Sequence, residues 1–377
     1  MNITFVITGL STGGAEVMLY KLIQNINRNQ FKPNVISLTN IGELGLKIKK
    51  LGVSVNALEM KFNFIFFFKF FKLLKLLYNS NADIVQTWMY HADLLGGVAA
   101  RIVGIRNVVW GIRQSVFSNN KSKYSTKLIM KLCSKLSNWL PKLILSCSIR
   151  AKSVHINEGY CKKKIVVIPN GFDLEVFKPN INARKSVRFE LGINSDAKLV
   201  GLIARNDPQK NHNGFIDAAI NVIHKIPDTH FLLAGKGIDY SNKGLVRSIS
   251  NTGYKDNFHL LGYRNDIPRL MAALDVYASS SSWGEAFPNV IGEAMACCIP
   301  CIVTDVGDSA KIVGKTGRVV EVGDMMGLAS NLIKLLQLPL NQRKSLGKLA
   351  RQRINDRYEI RKIIQLFEKV YQELGYK

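Results

Sequence analysis

Short apolar runs alternate with amphipathic stretches along most of the chain. Ile3 to Thr8 reads as a buried strand, and a glycine-rich turn, Gly9 to Glu16, follows it. Ala15, Met18, Leu19, Leu22 and Ile26 then recur at helical spacing. Asn34–Leu38 and Val53–Leu58 read as strands around a helix over Leu44–Leu51, and Asp83–Gln86 as a further strand. The rhythm resumes with strands at Lys198–Ala204, His230–Ala234, Asn257–Leu261, Asp275–Ser279 and Pro300–Thr304. Strands that alternate with helices need crossover connections, so the expected class is α/β with parallel sheets. From about 328 to 374 the pattern is helical, with no breaker between Gly347 and Gly375.

Two stretches depart from this rhythm. Between residues 62 and 71 lie seven phenylalanines, interleaved with Lys61, Lys69, Lys72 and Lys75. The run is too short and too charged to cross a bilayer. Leu73, Leu74, Leu76 and Leu77 suit a helix packed on a sheet. The excess of aromatics and lysines, with Phe66, Phe67, Lys69 and Lys72 at its centre, suits a helix lying in an anionic lipid surface. Lys121 to Leu140 reads as a basic amphipathic helix and a second candidate membrane contact.

Composition narrows the class. A chain of 377 residues with 47% hydrophobic content can bury two cores of ordinary size. The net charge of +25 implies an anionic partner: nucleic acid, a phosphorylated ligand or a membrane. There is no RNP, zinc-finger or helix-turn-helix signature, so nucleic acid is not expected. The six cysteines lack disulfide-scaffold spacing; Cys298 and Cys301 form a C-x-x-C, but the segment reads as a helix end entering a buried strand. A reducing cytoplasm fits, and Asn2 to Thr8 lacks the basic leader of a signal peptide.

Candidate chemistry collects where strands end. Glu285 and Glu293 stand eight positions apart around Phe287, Pro288, Asn289 and Val290. Pro288 suits the first turn of a helix, which places Glu285 on a loop and Glu293 more than one turn in. Unpaired N–H groups at such a helix start, with the positive dipole end, favour an anion. Gly13 and Gly14 form a similar strand-turn-helix junction. Arg205 and Lys210 put a cation at each end of a short loop, which suits a diphosphate. His91 follows the end of the strand Asp83–Gln86, on the ligand-binding side of an α/β sheet. No D-x-D triplet occurs, so a metal-held donor lacks its usual ligands and no metal or other cofactor is expected.

The Glu285–Glu293 stretch with Glu293-Ala294-Met295-Ala296 resembles the signature of the retaining GT4 glycosyltransferases of the GT-B fold. Gly13-Gly14-Ala15-Glu16 and Asn170-Gly171-Phe172-Asp173 resemble further segments of this family, and Gln86 to Gly97 and Trp110 to Ser115 resemble segments of bacterial members that build O-antigen and capsule. The resemblance covers essentially the whole chain. It implies two Rossmann-like domains facing across a cleft: an acceptor domain over 1–180, a donor domain over 181–357, and a helix over 358–377 crossing back to the first. It also implies roles. Arg205 and Lys210 would neutralise the leaving diphosphate, and His91 would approach the transferred sugar. Glu285 would hold sugar hydroxyls and Glu293 the ribose. Gly13 and Gly14 would border the donor diphosphate and the acceptor. Tyr263 and Arg264 lie in the turn that holds the base, largely through backbone atoms, and Arg113 would face the acceptor.

The expected activity is therefore metal-independent, retaining transfer from a UDP- or GDP-sugar to a lipid-linked saccharide at the cytoplasmic membrane face. Two alternatives stand beside it. A GT-B nucleotide-sugar epimerase would not need basic aromatic surfaces on its first domain. A non-catalytic sugar-nucleotide or nucleic-acid binding protein would be expected to have lost Glu285, Lys210 or Arg205, and all three are present.

Overall fold

The computed structural model describes residues 1–60, 66–115 and 124–375. Lys61, Phe62, Phe64, Lys121 and Lys123, which belong to the two candidate membrane helices, lie outside them. The chain divides into two compact units: Met1–Gly171 with Ile360–Lys377, and Phe172–Glu359.

In the first unit, β1 (Asn2–Ile7), β2 (Lys32–Ser37), β3 (Val55–Ala57), β4 (Ile84–Trp88), β5 (Val108–Ile112), β6 (Leu143–Ser146) and β7 (Ile165–Val167) form one sheet. The order is β3-β2-β1-β4-β5-β6-β7 and every pairing is parallel. Its helices are α1 (Gly14–Asn25), α2 (Gly42–Lys50), α3 (Phe66–Asn79), α4 (Tyr90–Ile102), α5 (Tyr124–Leu136) and α6 (Ile149–Asn157).

The second unit holds α7 (Ile181–Leu191), α8 (His212–Lys225), α9 (Lys243–Ser250), α10 (Ile267–Ala273), α11 (Asn289–Ala296), α12 (Ser309–Val313), α13 (Met325–Gln337) and α14 (Leu340–Tyr358). Its strands are β8 (Lys198–Ile203), β9 (Thr229–Ala234), β10 (Phe258–Leu260), β11 (Val276–Ser279), β12 (Cys301–Thr304) and β13 (Arg318–Val320). They form a second parallel sheet in the order β10-β9-β8-β11-β12-β13. In each sheet the winding direction reverses once, between β1 and β4 and between β8 and β11. Loops leaving the carboxyl ends of those strands diverge and leave room for a ligand.

The helical tail is not one element. It breaks at Leu338–Pro339 and again at Glu359, although no glycine or proline marks the second break. There Glu359 forms a parallel bridge with Phe172, and the Phe172 N–H donates to the Tyr358 carbonyl at 2.8 Å. That bond diverts a carbonyl from the helical ladder. Beyond it, α15 (Ile360–Gly375) joins the core of the first unit. Ile363, Ile364, Phe367 and Tyr371 are buried with Phe5, Phe31 and Trp88, and the Tyr371 hydroxyl donates to Gln86 Oε1.

The base of the second sheet is held by charge. Asp275, just before β11, accepts from Arg188 at 2.8 Å, Arg184 at 3.0 Å and the Leu199 N–H at 2.9 Å, with Arg343 at 3.5 Å. The arginines also donate to carbonyls of Ala273, Ala197 and Leu336, so their buried N–H groups are matched.

Candidate functional site

Two loops of the second unit meet at the carboxyl ends of β8 and β11. The first carries Arg205 to Asn211, the second Ser280 to Pro288. Lys210 Nζ forms an ion pair with Glu285 Oε1, and Ser281 Oγ donates to the same oxygen at 2.9 Å. Both side chains of the pair are largely buried, at 13% and 11% exposure, so water screens their attraction poorly. Further bonds lock the loops together. Ser280 Oγ donates to the Lys210 carbonyl at 2.8 Å, and the Ser282 N–H to the Gln209 carbonyl at 2.7 Å.

Neighbouring strands support this pair. Thr304 Oγ1, at the end of β12, donates to the Ser281 carbonyl at 2.6 Å. Gly307 has φ 64° and lies against the carbonyls of Glu285 and Ala286, where a Cβ would collide. The Asp308 N–H donates to the Ala286 carbonyl at 3.0 Å. The sequence alone does not single out Ser281, Thr304 and Gly307. The run of four serines and the Asp-Val-Gly turn after β12 were the available signals, but neither says which loop it touches.

Arg205 is exposed and bound side-on by Asp207. Its Nε and Nη2 donate to Asp207 Oδ2 at 3.1 and 2.9 Å. Glu293 lies half-buried in the second turn of α11. Burial, then Cys301 and the charges of Glu285 and Glu293, raise the Tyr277 hydroxyl well above its ordinary pKa. Pro288 occupies the N-cap, so α11 starts at Asn289, one residue later than a proline in the first turn implies. Asn289 and Val290 therefore supply the first N–H groups of the helix.

Two other donor-side candidates face elsewhere. Phe287 is buried, stacked on Phe172 with centroids 6.1 Å apart and edge-on to Tyr358 at 5.5 Å. Its side chain anchors the loop to the core. Arg264 forms a closed network with Asp266, Glu190 and Arg269, at 2.6 to 3.0 Å. Tyr263, beside it, is exposed.

In the first unit, the turn after β1 and the start of α4 after β4 adjoin at the point where the sheet reverses. Gly13 is the N-cap of α1 and Gly14 its first residue. The Glu16 carboxylate folds back over Gly13, and burial raises its pKa. A carboxyl group of the chain itself thus lies at this helix start. His91, in the first turn of α4, is half-buried, and burial lowers its pKa. It borders an apolar cavity of about 40 Å³ with Leu38, Met60, Phe66 and Leu95. Arg113 lies 3.8 Å over the Trp88 ring and donates to Asn170 Oδ1 at 2.9 Å, so the guanidinium links the end of β5 to the Asn170–Gly171 turn. Nearby, Asp93 is buried and its pKa is raised to about 7 by burial, against hydrogen bonds from Thr87 and the Gly111 N–H and the charge of Arg113.

On α3, Leu73 and Leu77 are buried, Leu74 and Leu76 are half-buried, and Phe67, Phe68 and Phe71 are 67–69% exposed. Lys72 is exposed; Phe66 and Lys69 are half-buried. On α5, Met130, Cys133 and Ser134 face inward while Leu128, Lys131, Leu132 and Lys135 are exposed. Both helices flank α4. No helix among the described residues is long and apolar enough to cross a membrane.

Comparison with known proteins bears on both units. The family profile described as "Glycosyl transferases group 1" matches residues 183–353, and that described as "Glycosyltransferase Family 4" matches residues 12–176. An Escherichia coli UDP-Gal:alpha-D-GlcNAc-diphosphoundecaprenol alpha-1,3-galactosyltransferase is 33% identical over 275 residues, covering 70% of this chain and 68% of that protein. The Bacillus anthracis N-acetyl-alpha-D-glucosaminyl L-malate synthase is 28% identical over 215 residues, covering 56% of this chain and 54% of its own length. The crystal structure of Anabaena Alr3699/HepE in complex with UDP and glucose shares the fold, with a TM-score of 0.87 at 23% identity, over 99% of this chain and 100% of that one.

Proposed function

From the premise that the chain belongs to the group 1 and family 4 glycosyltransferases, and is a glycosyltransferase, we propose that it moves a sugar from a nucleotide-sugar onto a lipid-linked saccharide. The transfer is retaining, needs no metal and takes place at the cytoplasmic face of the membrane, in the assembly of a cell-surface polysaccharide. The observation that carries this reading is the Lys210–Glu285–Ser281 cluster at the reversal point of the second sheet. The E. coli relative, named for UDP-Gal and a diphosphoundecaprenol-linked GlcNAc, supports a UDP-sugar and a polyprenyl-diphosphate acceptor.

In this reading the bond between the anomeric carbon and the diphosphate oxygen breaks while the acceptor oxygen bonds to the same face of that carbon. The acceptor proton passes to the leaving phosphate. Negative charge builds on the diphosphate, and Lys210, Arg205 and the first N–H groups of α11 stabilise it. Glu285, fixed by Lys210 and Ser281, orients sugar hydroxyls, and Glu293 takes the ribose. His91 and Gly13–Gly14 serve the transferred sugar and the acceptor side.

A thermal-shift screen against UDP, GDP, ADP, CMP and their sugars, with and without EDTA, tests this. A ligand that binds only the folded protein raises the melting temperature by mass action. A shift with one nucleotide, unchanged by EDTA, is expected, with UDP foremost. No shift with any of them would overturn the donor assignment.

The membrane part rests on the exposed phenylalanines of α3 beside its lysines, and on the basic, leucine-bearing outer face of α5. Aromatic rings enter the interface while lysines meet anionic headgroups. Replacing Phe67, Phe68, Phe71 and Lys72 with polar neutral residues should release the protein from phosphatidylglycerol-containing vesicles. Sedimentation with the vesicles as complete as for wild type would refute this surface.

A further inference from the structure

We propose that Asp207 is a positioning residue that aims Arg205 at the departing diphosphate; the inference rests on the phosphate reading of the Arg205–Lys210 loop. The two carboxylate oxygens of Asp207 have separate tasks. Oδ1 accepts the Gln209 N–H at 3.0 Å and so caps the single 3₁₀ turn Pro208–Lys210. Oδ2 accepts both Nε and Nη2 of Arg205. The turn closes further through the Lys210 N–H, which donates to the Asp207 carbonyl at 2.9 Å. Asp207 thereby links the two cations of the loop, one by its side chain and one by its backbone.

The Arg205 side chain is 58% exposed, and an exposed ion pair adds little to stability. Its effect is on geometry. A free arginine at a loop edge samples many rotamers, whereas a side-on pair fixes the plane of the guanidinium. Two of the five N–H donors serve Asp207, and the other three remain on the far edges of the group, in the fork that suits phosphate oxygens. The bland alternative is that Asp207 matters only as the cap of the turn.

Asp207→Asn separates the two tasks. The asparagine carbonyl can still cap the turn, while its NH₂ replaces Oδ2 and repels the guanidinium. The substitution also raises local positive charge by one, which by itself favours phosphate binding. A purely electrostatic role therefore predicts tighter nucleotide binding and no loss of turnover. A positioning role predicts a kcat lower by about tenfold with donor KM within about threefold, since misplaced groups cost rate more than affinity.

The assay is release of nucleoside diphosphate, with water taking the sugar, from whichever UDP-, GDP- or ADP-sugar shifts the melting temperature. It is run on wild type, Asp207→Asn, Arg205→Ala and the double variant. The expected result is a double variant no slower than Arg205→Ala alone, because Asp207 acts through Arg205. Wild-type kcat in Asp207→Asn, or additive losses in the double variant, would overturn the inference and leave the phosphate reading standing. Wild-type activity in Arg205→Ala, or no sugar nucleotide bound at all, would bring down that reading and the inference with it.

Discussion

Lys210→Ala is expected to lower kcat by about a hundred- to a thousandfold, the usual loss when one preorganised donor to a developing anion is removed. The expectation follows from where Lys210 sits. Its ammonium is largely withdrawn from water, and Glu285 and the loop bonds of Ser280 fix its place before any ligand arrives. A charge already in position needs no reorganisation as the diphosphate leaves, so its effect concentrates in the transition state. Donor KM should change far less than kcat. Lys210→Arg, which keeps the charge at a different reach, should recover part of the rate. Steady-state kinetics with the donor found by thermal shift would check this. A kcat within about threefold of wild type would remove Lys210 from the charge-stabilising role.

Asp275→Ala is expected to destabilise the second unit by about 3–5 kcal/mol, the range for breaking a buried ion pair from one side. Three arginines converge on this carboxylate, and two of them, Arg188 and Arg343, are almost wholly buried. Without it their charges lose their counterion in a medium that solvates them poorly. The Leu199 N–H also loses its acceptor, so the start of β8 is loosened from the start of β11. Urea unfolding followed by circular dichroism measures the loss. A midpoint shift below that for a loss of about 1 kcal/mol would mean that the arginines find other partners.

Local pattern and tertiary placement contributed differently to the site. Glu285 on a loop and Glu293 on the following helix were legible, because helical spacing and Pro288 mark the start of α11 within one residue. Arg205 and Lys210 were legible as paired cations after a strand. That Lys210 binds Glu285 was not, since the two are 75 positions apart and only the adjacency of β8 and β11 brings them together. Phe287 and Arg264 show the reverse case. Each sits inside a family-like motif, yet one side chain turns into an aromatic cluster and the other closes an ion network. Motif position fixes where the backbone runs, and packing decides which way the side chain points. The tail makes the same distinction. Its helical period was plain, but the break at Glu359 comes from a bridge to Phe172, a partner nearly the whole second unit away in sequence.

By itself the sequence determined the α/β class, the alternation of strands and helices, and the chemical types gathered at the strand ends. These follow from backbone periodicity and turn chemistry, which act over a few residues. The tertiary structure alone decided the strand orders, the arginine cluster on Asp275 and the second task of Asp207. Those depend on which distant groups share a low-dielectric neighbourhood, and only the strand order and packing of each unit set that.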